Sequence, residues 1–352
     1  MAKVIGLLFV FFSNLIWSNT LSNDSLSSLI PHNFTGQIAI KEKNTFIFRE
    51  NYGPKERVFG TLINDSTVFN IGQISQTILS YFFENLFANG QIQPTDKVKK
   101  YITTFPYENI KIEHLLKHQS GLPHIYVKLY HRKVYNNWNL KLSERSVRFH
   151  NEDILNILVK EEPKLNFLPG DSTDYSDLNY LVLSSLIEEI TQISFPDYVK
   201  KKFEEKFVFK PVLSASSDTL FNKAYGYKII QDSAFQLYDN LKTRGLPFDD
   251  GTYGNQHIYL SASNLANWGQ FIFNNLNINS ITTTPNAETM GGIKYQKNLN
   301  AVVKTGAFGG TYSKLIFLPE KQIVLAINST VLNAFDIEKA FNPLIKYLQQ
   351  TN

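Results

Sequence analysis

Strand-forming patterns occur at both ends of this chain, and a long, mainly helical pattern separates them. Residues 37–40 and 45–48 flank a charged turn, which predicts an N-terminal β-hairpin. Three further strand patterns lie near the C-terminus, at residues 301–303, 312–318 and 322–327. The economical arrangement is one antiparallel sheet that is built from both chain ends and flanked by helices.

Helical spacing of apolar residues marks the segments between and after these strands. The clearest helical patterns are residues 75–89, 184–191, 264–273 and 336–348. Residues 113–285 are mainly helical in pattern, with long loops. We therefore predict an α+β fold in which one domain spans residues 34–350. Its α/β lobe covers about 34–74 and 288–350, and a helical insertion lobe covers about 75–287.

The N-terminus has the pattern of a secretory signal peptide. Lys3 precedes an apolar run over residues 4–12, and Ser18 follows it. The run is short for a transmembrane helix, so a retained membrane anchor is the less favoured alternative. We predict a signal peptide at residues 1–19, a polar linker at 20–33, and a mature protein without a stable membrane span. The expected location is periplasmic or secreted.

Composition narrows the chemistry that the chain supports. The 352 residues contain no cysteine, which excludes disulfides, thiolate catalysis and cysteine-ligated metals. The seven histidines lack metal-ligand spacing, so neither a metal nor another cofactor is expected. The net charge of +4 is not gathered into a basic patch beyond short lysine runs, and nucleic acid is therefore not an expected partner.

The first candidate site lies at the start of the helix predicted for residues 75–89. Gly72 would direct the first backbone N–H groups of that helix towards a cleft. A serine at the next position and a lysine three residues later would share one helix face as nucleophile and base. The chain instead has Gln73 and Gln76, whose amides serve neither purpose. Ser75 is a near miss, but the residue three positions after it is Ile78.

Two weaker signals follow along the chain. Tyr175 lies on a loop after a Pro-Gly turn, and a tyrosine beside a lysine acts as a phenolate base because the cation lowers its pKa. A purely structural tyrosine is the competing interpretation. The second signal is the strand segment Lys304, Thr305 and Gly306. Lys304 would supply a positive charge to a ligand, and Thr305 would supply a hydroxyl group. The N–H of Ala307 would donate a hydrogen bond to an oxyanion.

The order and spacing of these segments resemble the serine beta-lactamase-like family, which includes class C beta-lactamases, D-alanyl-D-alanine carboxypeptidases and related esterases. The segment from His118 through Ser120 to Pro123 is similar to the family's H-x-S-G-L stretch. Residues 254–262 match a glycine-rich family segment only partly. The resemblance extends over about residues 34–348 and implies the same sheet-plus-helical-lobe fold. We expect His118 and Ser120 to hold a turn beneath the cleft.

The resemblance also implies a role for each candidate residue. Gln73 takes the nucleophile position and Gln76 the lysine position, while Tyr175 and Lys304 match catalytic residues. Asp177 stands where many members have asparagine, and Asn179 is close by in sequence. The expected ligand-binding residues are Asp177, Asn179, Thr305, Gly306 and Ala307.

Three functions remain open from the sequence. The favoured one is a non-catalytic relative, a pseudoenzyme that binds a cell-wall peptide or a small acyl ligand in the retained cleft. The second is an active hydrolase that attacks an ester or amide with water held by Tyr175 and Lys304. The third is a scaffold protein of the envelope with a vestigial cleft.

Overall fold

The computed structural model describes residues 23–124, 150–213, 222–230, 234–237, 252–275, 291–331 and 337–350. The predicted signal peptide lies outside these ranges. Within them, we find no helix with the length and apolar character that a bilayer crossing requires.

A six-stranded antiparallel sheet contains strands from both chain ends. Its strands are β1 (Gly36–Glu42), β2 (Thr45–Tyr52), β8 (Lys294–Gln296), β9 (Ala301–Phe308), β10 (Thr311–Leu318) and β11 (Ile323–Ser329). Their order across the sheet is β2-β1-β11-β10-β9-β8. The N-terminal hairpin joins the C-terminal strands through β1 and β11, where Ile38 pairs with Ile327. The predicted α+β fold and the sheet built from both ends are therefore confirmed.

Side-chain alternation gives this sheet two buried faces. On β10, Leu315 and Phe317 pack into the large cluster that includes the helical part of the chain. Ile316 and Leu318 pack into a second cluster with both terminal helices. Burial on both faces explains why β10 and β11 are buried along their whole length.

The helices cover both faces of the sheet and build the insertion. They are α1 (Asn23–Ser27), α2 (Ser75–Ala88), α3 (Ile112–Leu116), α4 (Asn151–Glu161), α5 (Asp177–Thr191), α6 (Phe195–Lys206), α7 (Ala262–Asn275), α8 (Ile337–Ala340) and α9 (Asn342–Gln350). Short 3-10 helices occupy Gly72–Ile74, Val98–Lys100 and Lys297–Leu299. Helix α7 lies close to the sheet at Gly269, where a Cβ atom would stand 2.6 Å from Leu315 Cδ1.

Short strands that the sequence patterns did not predict lie just before the insertion and within it. They are β3 (Phe69–Asn70), β4 (Val212–Leu213), β5 (Tyr227–Ile230), β6 (Ala234–Leu237) and β7 (Ile258–Leu260). Strands β3, β7 and β4 form a three-stranded sheet, and β5 pairs with β6. Strands of two to four residues are too short to show a period of two, so the sequence carried little signal for them.

Several boundaries differ from the sequence expectation. The helical pattern at residues 184–191 belongs to a longer helix that begins at Asp177, because the Ser176 side chain accepts a hydrogen bond from the Leu178 N–H and caps it. The stretch predicted as a linker contains α1, and Leu26 within it is fully buried. The closing helical pattern is divided into α8 and α9. The division into two lobes stays a prediction.

Candidate active site

The candidate site forms where the Gly72–Ile74 turn meets strand β9. Gly72 has a φ of +51°, and a Cβ atom there would lie 2.5 Å from the Ala307 nitrogen. A Cβ on Gly306 would lie 2.0 Å from the Ile71 carbonyl oxygen. Only glycine permits two backbones to approach so closely. This contact places positions 73 and 76 beside residues 304–307, as the sequence motifs predicted.

Gln73 reaches across this contact to the edge of β9. Strand β8 pairs with β9 only at residues 301–303, so the edge of β9 beyond that point is not covered by β8. There the Gln73 Oε1 atom accepts a hydrogen bond of 2.9 Å from the Ala307 N–H. The Gln73 side chain also lies close enough to the Tyr175 hydroxyl to lower its pKa, against the larger effects of burial and Asp177. The amide at the position that the resemblance assigns to the nucleophile thus occupies the donor that the sequence assigned to an oxyanion.

Gln76 contacts Lys304, the second candidate catalytic residue. It is fully buried, and its Oε1 atom accepts a hydrogen bond of 3.0 Å from Lys304 Nζ. Its Nε2 atom donates to Asn255 Oδ1 over 2.9 Å. An amide provides one acceptor and one donor group, and Gln76 uses both. Gln76 therefore connects Lys304 to the other side of the cleft.

Tyr175 is surrounded by acceptors and amides. Its hydroxyl donates to the Asp177 carboxylate and lies 3.0 Å from Asn255 Oδ1. Burial of the hydroxyl and then the Asp177 charge raise the pKa of Tyr175 well above its ordinary value. The ring is 39% exposed, but the hydroxyl end points inwards to these partners. The expectation that a lysine would lower this pKa is wrong, because the charged partner is a carboxylate.

Asn255 is a site residue that sequence reasoning missed. Its Nδ2 atom donates to Asp177 Oδ1 over 2.5 Å, while its Oδ1 atom faces Gln76 and Tyr175. The sequence signal that could have pointed to Asn255 was the adjacent Gly254. Its φ is +116°, and a Cβ atom at this position would lie 2.1 Å from the Tyr180 carbonyl oxygen. This constrained loop places Asn255 against the helix that begins at Asp177.

Two predicted ligand-binding side chains lie apart from this cluster. Asn179 is fully buried, where its Oδ1 accepts from Ser120 Oγ at 2.5 Å and its Nδ2 lies 2.9 Å from His118 Nδ1. Thr305 follows Lys304 on β9, so alternation places it on the opposite face of the sheet. Of the five predicted ligand-binding residues, Asp177, Gly306 and Ala307 lie in the cluster.

His118 and Ser120 support the loop that carries Tyr175. The Ser176 N–H donates to His118 Nδ1 over 3.4 Å, and the His118 ring lies 4.8 Å from the Tyr175 ring. Ser120 Oγ also accepts from the Leu122 N–H at 3.0 Å. These contacts agree with the structural role that the sequence predicted for both residues.

Ser75 does not replace the missing serine. It is fully buried at the first position of α2, and its Oγ atom has no hydrogen-bond partner among the described residues. Gln73 and Gln76 face Ala307 and Lys304 instead. The side chains that face strand β9 are therefore those of Gln73 and Gln76, in the register that Gly72 indicated, and not that of Ser75.

A solvent-open depression of about 210 Å³ lies beside the cluster. It is lined by Asp177, Leu181, Thr252, Tyr253, Asn255 and Gln256. His124 stands at the Asp177 side, with Nδ1 3.8 Å from Asp177 Oδ2. Across the described ranges, no group of three or more acidic or histidine side chains is arranged to hold a metal ion.

This combination of fold and site defines a class: the beta-lactamases and penicillin-binding proteins. The sequence profile of the beta-lactamase family matches residues 35–345. The chain therefore belongs to the beta-lactamase family of serine hydrolases.

Individual relatives agree with this assignment. A penicillin-binding protein of Bacillus subtilis is 25% identical over 251 residues, which are 69% of this chain and 53% of that protein. This chain thus spans about half the length of that relative. The teichoic acid D-alanine hydrolase of Staphylococcus aureus is 24% identical over 328 residues, covering 89% of this chain and 75% of the hydrolase. A crystal structure of a penicillin-binding protein from Bacillus halodurans superposes with a TM-score of 0.71 at 18% identity, over 92% of this chain and 98% of the other.

Proposed function

We propose that this chain is a non-acylating member of its family, a pseudoenzyme that binds a ligand in the retained cleft. The observation that carries the proposal is the placement of Gln73 and Gln76. Their side chains are hydrogen-bonded to the Ala307 N–H and to Lys304 Nζ. An amide nitrogen is neither a nucleophile nor a base near neutral pH. Removing the serine from a serine hydrolase costs on the order of a millionfold in turnover.

The ligand that we propose carries a D-alanyl group, either as a cell-wall peptide or as a small acyl ester. The support is chemical and comparative. Lys304 supplies a cation and Ala307 an amide donor for an acyl or carboxylate oxygen. The Staphylococcus aureus relative is named for hydrolysis of D-alanine from teichoic acid. A periplasmic or secreted location, expected from the N-terminal pattern, would bring the chain to such ligands.

The competing function, hydrolysis by water held between Tyr175 and Lys304, has little support in the geometry. A general base must lose its proton near the working pH. The pKa of Tyr175 is raised by burial and by Asp177, so the phenol keeps its proton. Lys304 donates to Gln76.

Intact-mass measurement after incubation with benzylpenicillin or a fluorophosphonate tests the proposal. We expect no adduct on the wild-type chain. Any covalent adduct on the wild-type chain would overturn the proposal, and loss of that adduct in Ser75→Ala would identify Ser75 as the nucleophile. The double variant Gln73→Ser with Gln76→Lys is the positive counterpart, and Gln73→Ala with Gln76→Ala is its matched control. An adduct on the serine–lysine variant alone would show that the substituted pair is what prevents acylation.

A further inference from the structure

The Gln73 side chain has the geometry of a bound acyl group. Its Oε1 atom is a planar carbonyl oxygen that lies 2.9 Å from the Ala307 nitrogen. This distance falls within the range of about 2.7–3.1 Å at which oxyanion donors act. An incoming ligand carbonyl would need the same N–H.

The backbone around Gln73 leaves little freedom to move this contact apart. Gly306 is so close to the turn that a Cβ atom would lie 2.8 Å from the Gln73 nitrogen and 2.9 Å from the Ile74 nitrogen. The main chain at position 73 is therefore held against β9. The site opens by rotation of the side chain, since separation of the two backbones would break this close packing.

Tyr175 is the second neighbour of the Gln73 side chain. Gln73 also contacts the Tyr175 hydroxyl, which is itself fixed by Asp177 and Asn255. Rotation of Gln73 away from Ala307 would break both contacts at once. A ligand carbonyl that takes over the Ala307 N–H replaces one of them.

We propose that Gln73 is a built-in occupant of the carbonyl site, so that an acyl ligand enters only by displacing the Gln73 side chain. This inference rests on the proposed ligand-binding function and describes how ligand binding is regulated. The resting cleft is closed by its own amide, and the ligand competes with an intramolecular carbonyl. Affinity for carbonyl-bearing ligands is accordingly lower in the wild type than in a chain that lacks the Gln73 oxygen and its bulk.

Two substitutions separate the oxygen from the bulk of Gln73. Gln73→Met keeps nearly the same length but removes the acceptor, and Gln73→Ala removes both. Gln119→Ala is the control, because the Gln119 side chain makes a single, long hydrogen bond of 3.5 Å to Thr173 Oγ1 among the described residues. Two properties of the Ala307 backbone amide are measured. They are its rate of hydrogen exchange and its NMR chemical shift during titration with acetate.

We expect Ala307 exchange to accelerate about three- to tenfold in both Gln73 variants, because one hydrogen bond is lost. Acetate should shift the Ala307 amide most in Gln73→Ala, less in Gln73→Met, where the bulk remains, and least in the wild type, where the Gln73 oxygen also holds the N–H. Gln119→Ala should behave as the wild type.

Unchanged exchange in both Gln73 variants would overturn the proposal, and so would an equal acetate response in the wild type and Gln73→Ala. An absent response in Gln73→Ala would do the same. These outcomes are independent of the mass measurement above, since a covalent adduct tests acylation and the Ala307 amide reports on the Gln73 contact.

Discussion

Lys304 Nζ donates a hydrogen bond of 3.0 Å to the Oε1 atom of Gln76, and both side chains are buried. A buried ammonium needs an acceptor, because desolvation without one is expensive. The neutral amide of Gln76 supplies that acceptor. Lys304 is thus accommodated by Gln76, whose amide nitrogen continues the network to Asn255.

Asn255 is the centre of that network, since it contacts Gln76, Tyr175 and Asp177. Asn255→Ala would remove the acceptor of the buried Gln76 amide and one of the hydrogen-bond donors of the Asp177 carboxylate. We expect the free energy of unfolding to fall by about 1–3 kcal/mol, measured by urea denaturation. Asn275→Ala is the control, because its side chain is exposed at the end of α7. A loss in Asn255→Ala no larger than in Asn275→Ala would contradict the prediction.

The close contact between β9 and the Gly72–Ile74 turn should not tolerate a side chain. Gly306→Ala places Cβ 2.0 Å from a backbone oxygen and should cost about 3 kcal/mol or more, measured by thermal or chemical unfolding. Gly309→Ala on the same hairpin meets no atom within 4 Å. It should cost only about 1–2 kcal/mol for its φ of +56°. Equal costs would show that the backbone contact does not hold.

Tyr175 should make stability fall at high pH. The unfolded phenol ionises near pH 10, whereas the folded phenol keeps its proton to higher pH. Above about pH 10 the unfolded state therefore binds fewer protons, and the free energy of unfolding decreases. Below that pH both states are protonated and the contribution is constant. The difference in urea stability between the wild type and Tyr175→Phe, followed across pH, measures this effect.

The two variants should show parallel profiles below about pH 10, with the wild type declining more steeply above it. Ultraviolet absorbance of phenolate checks the same assignment directly. If the difference spectrum between the wild type and Tyr175→Phe titrated below pH 10, Tyr175 would be a cation-stabilised phenolate, and water-activated hydrolysis would regain support.

Leu26 tests whether the N-terminal segment belongs to the folded core. It is fully buried in the cluster that packs against the outer face of the sheet. Leu26→Ala should lower the free energy of unfolding by about 2–5 kcal/mol, measured by urea denaturation. Leu168→Ala, at a side chain that is 70% exposed, should change it by no more than about 0.5 kcal/mol. Similar values for both would identify the segment as a dispensable linker.

The sequence by itself determined the sheet and the backbone of the site. Alternation and glycine turns are local signals, so β1, β9 and β10 were predicted within a few residues, and Gly72 identified the register of Gln73 and Gln76. Short strands and capped helix starts were missed, because two to four residues carry little periodicity and the Ser176 cap lay upstream of the apolar pattern.

The tertiary structure decided which acceptor each donor finds. Tyr175 meets Asp177 and Asn255, Lys304 meets Gln76, and the Gln73 oxygen meets the Ala307 N–H. Hydrogen bonds extend over about 3 Å, and their partners come from segments up to 234 residues apart. Only folding sets such distances. The sequence therefore determined that glutamine stands at positions 73 and 76, and the tertiary structure decided that both side chains occupy the site.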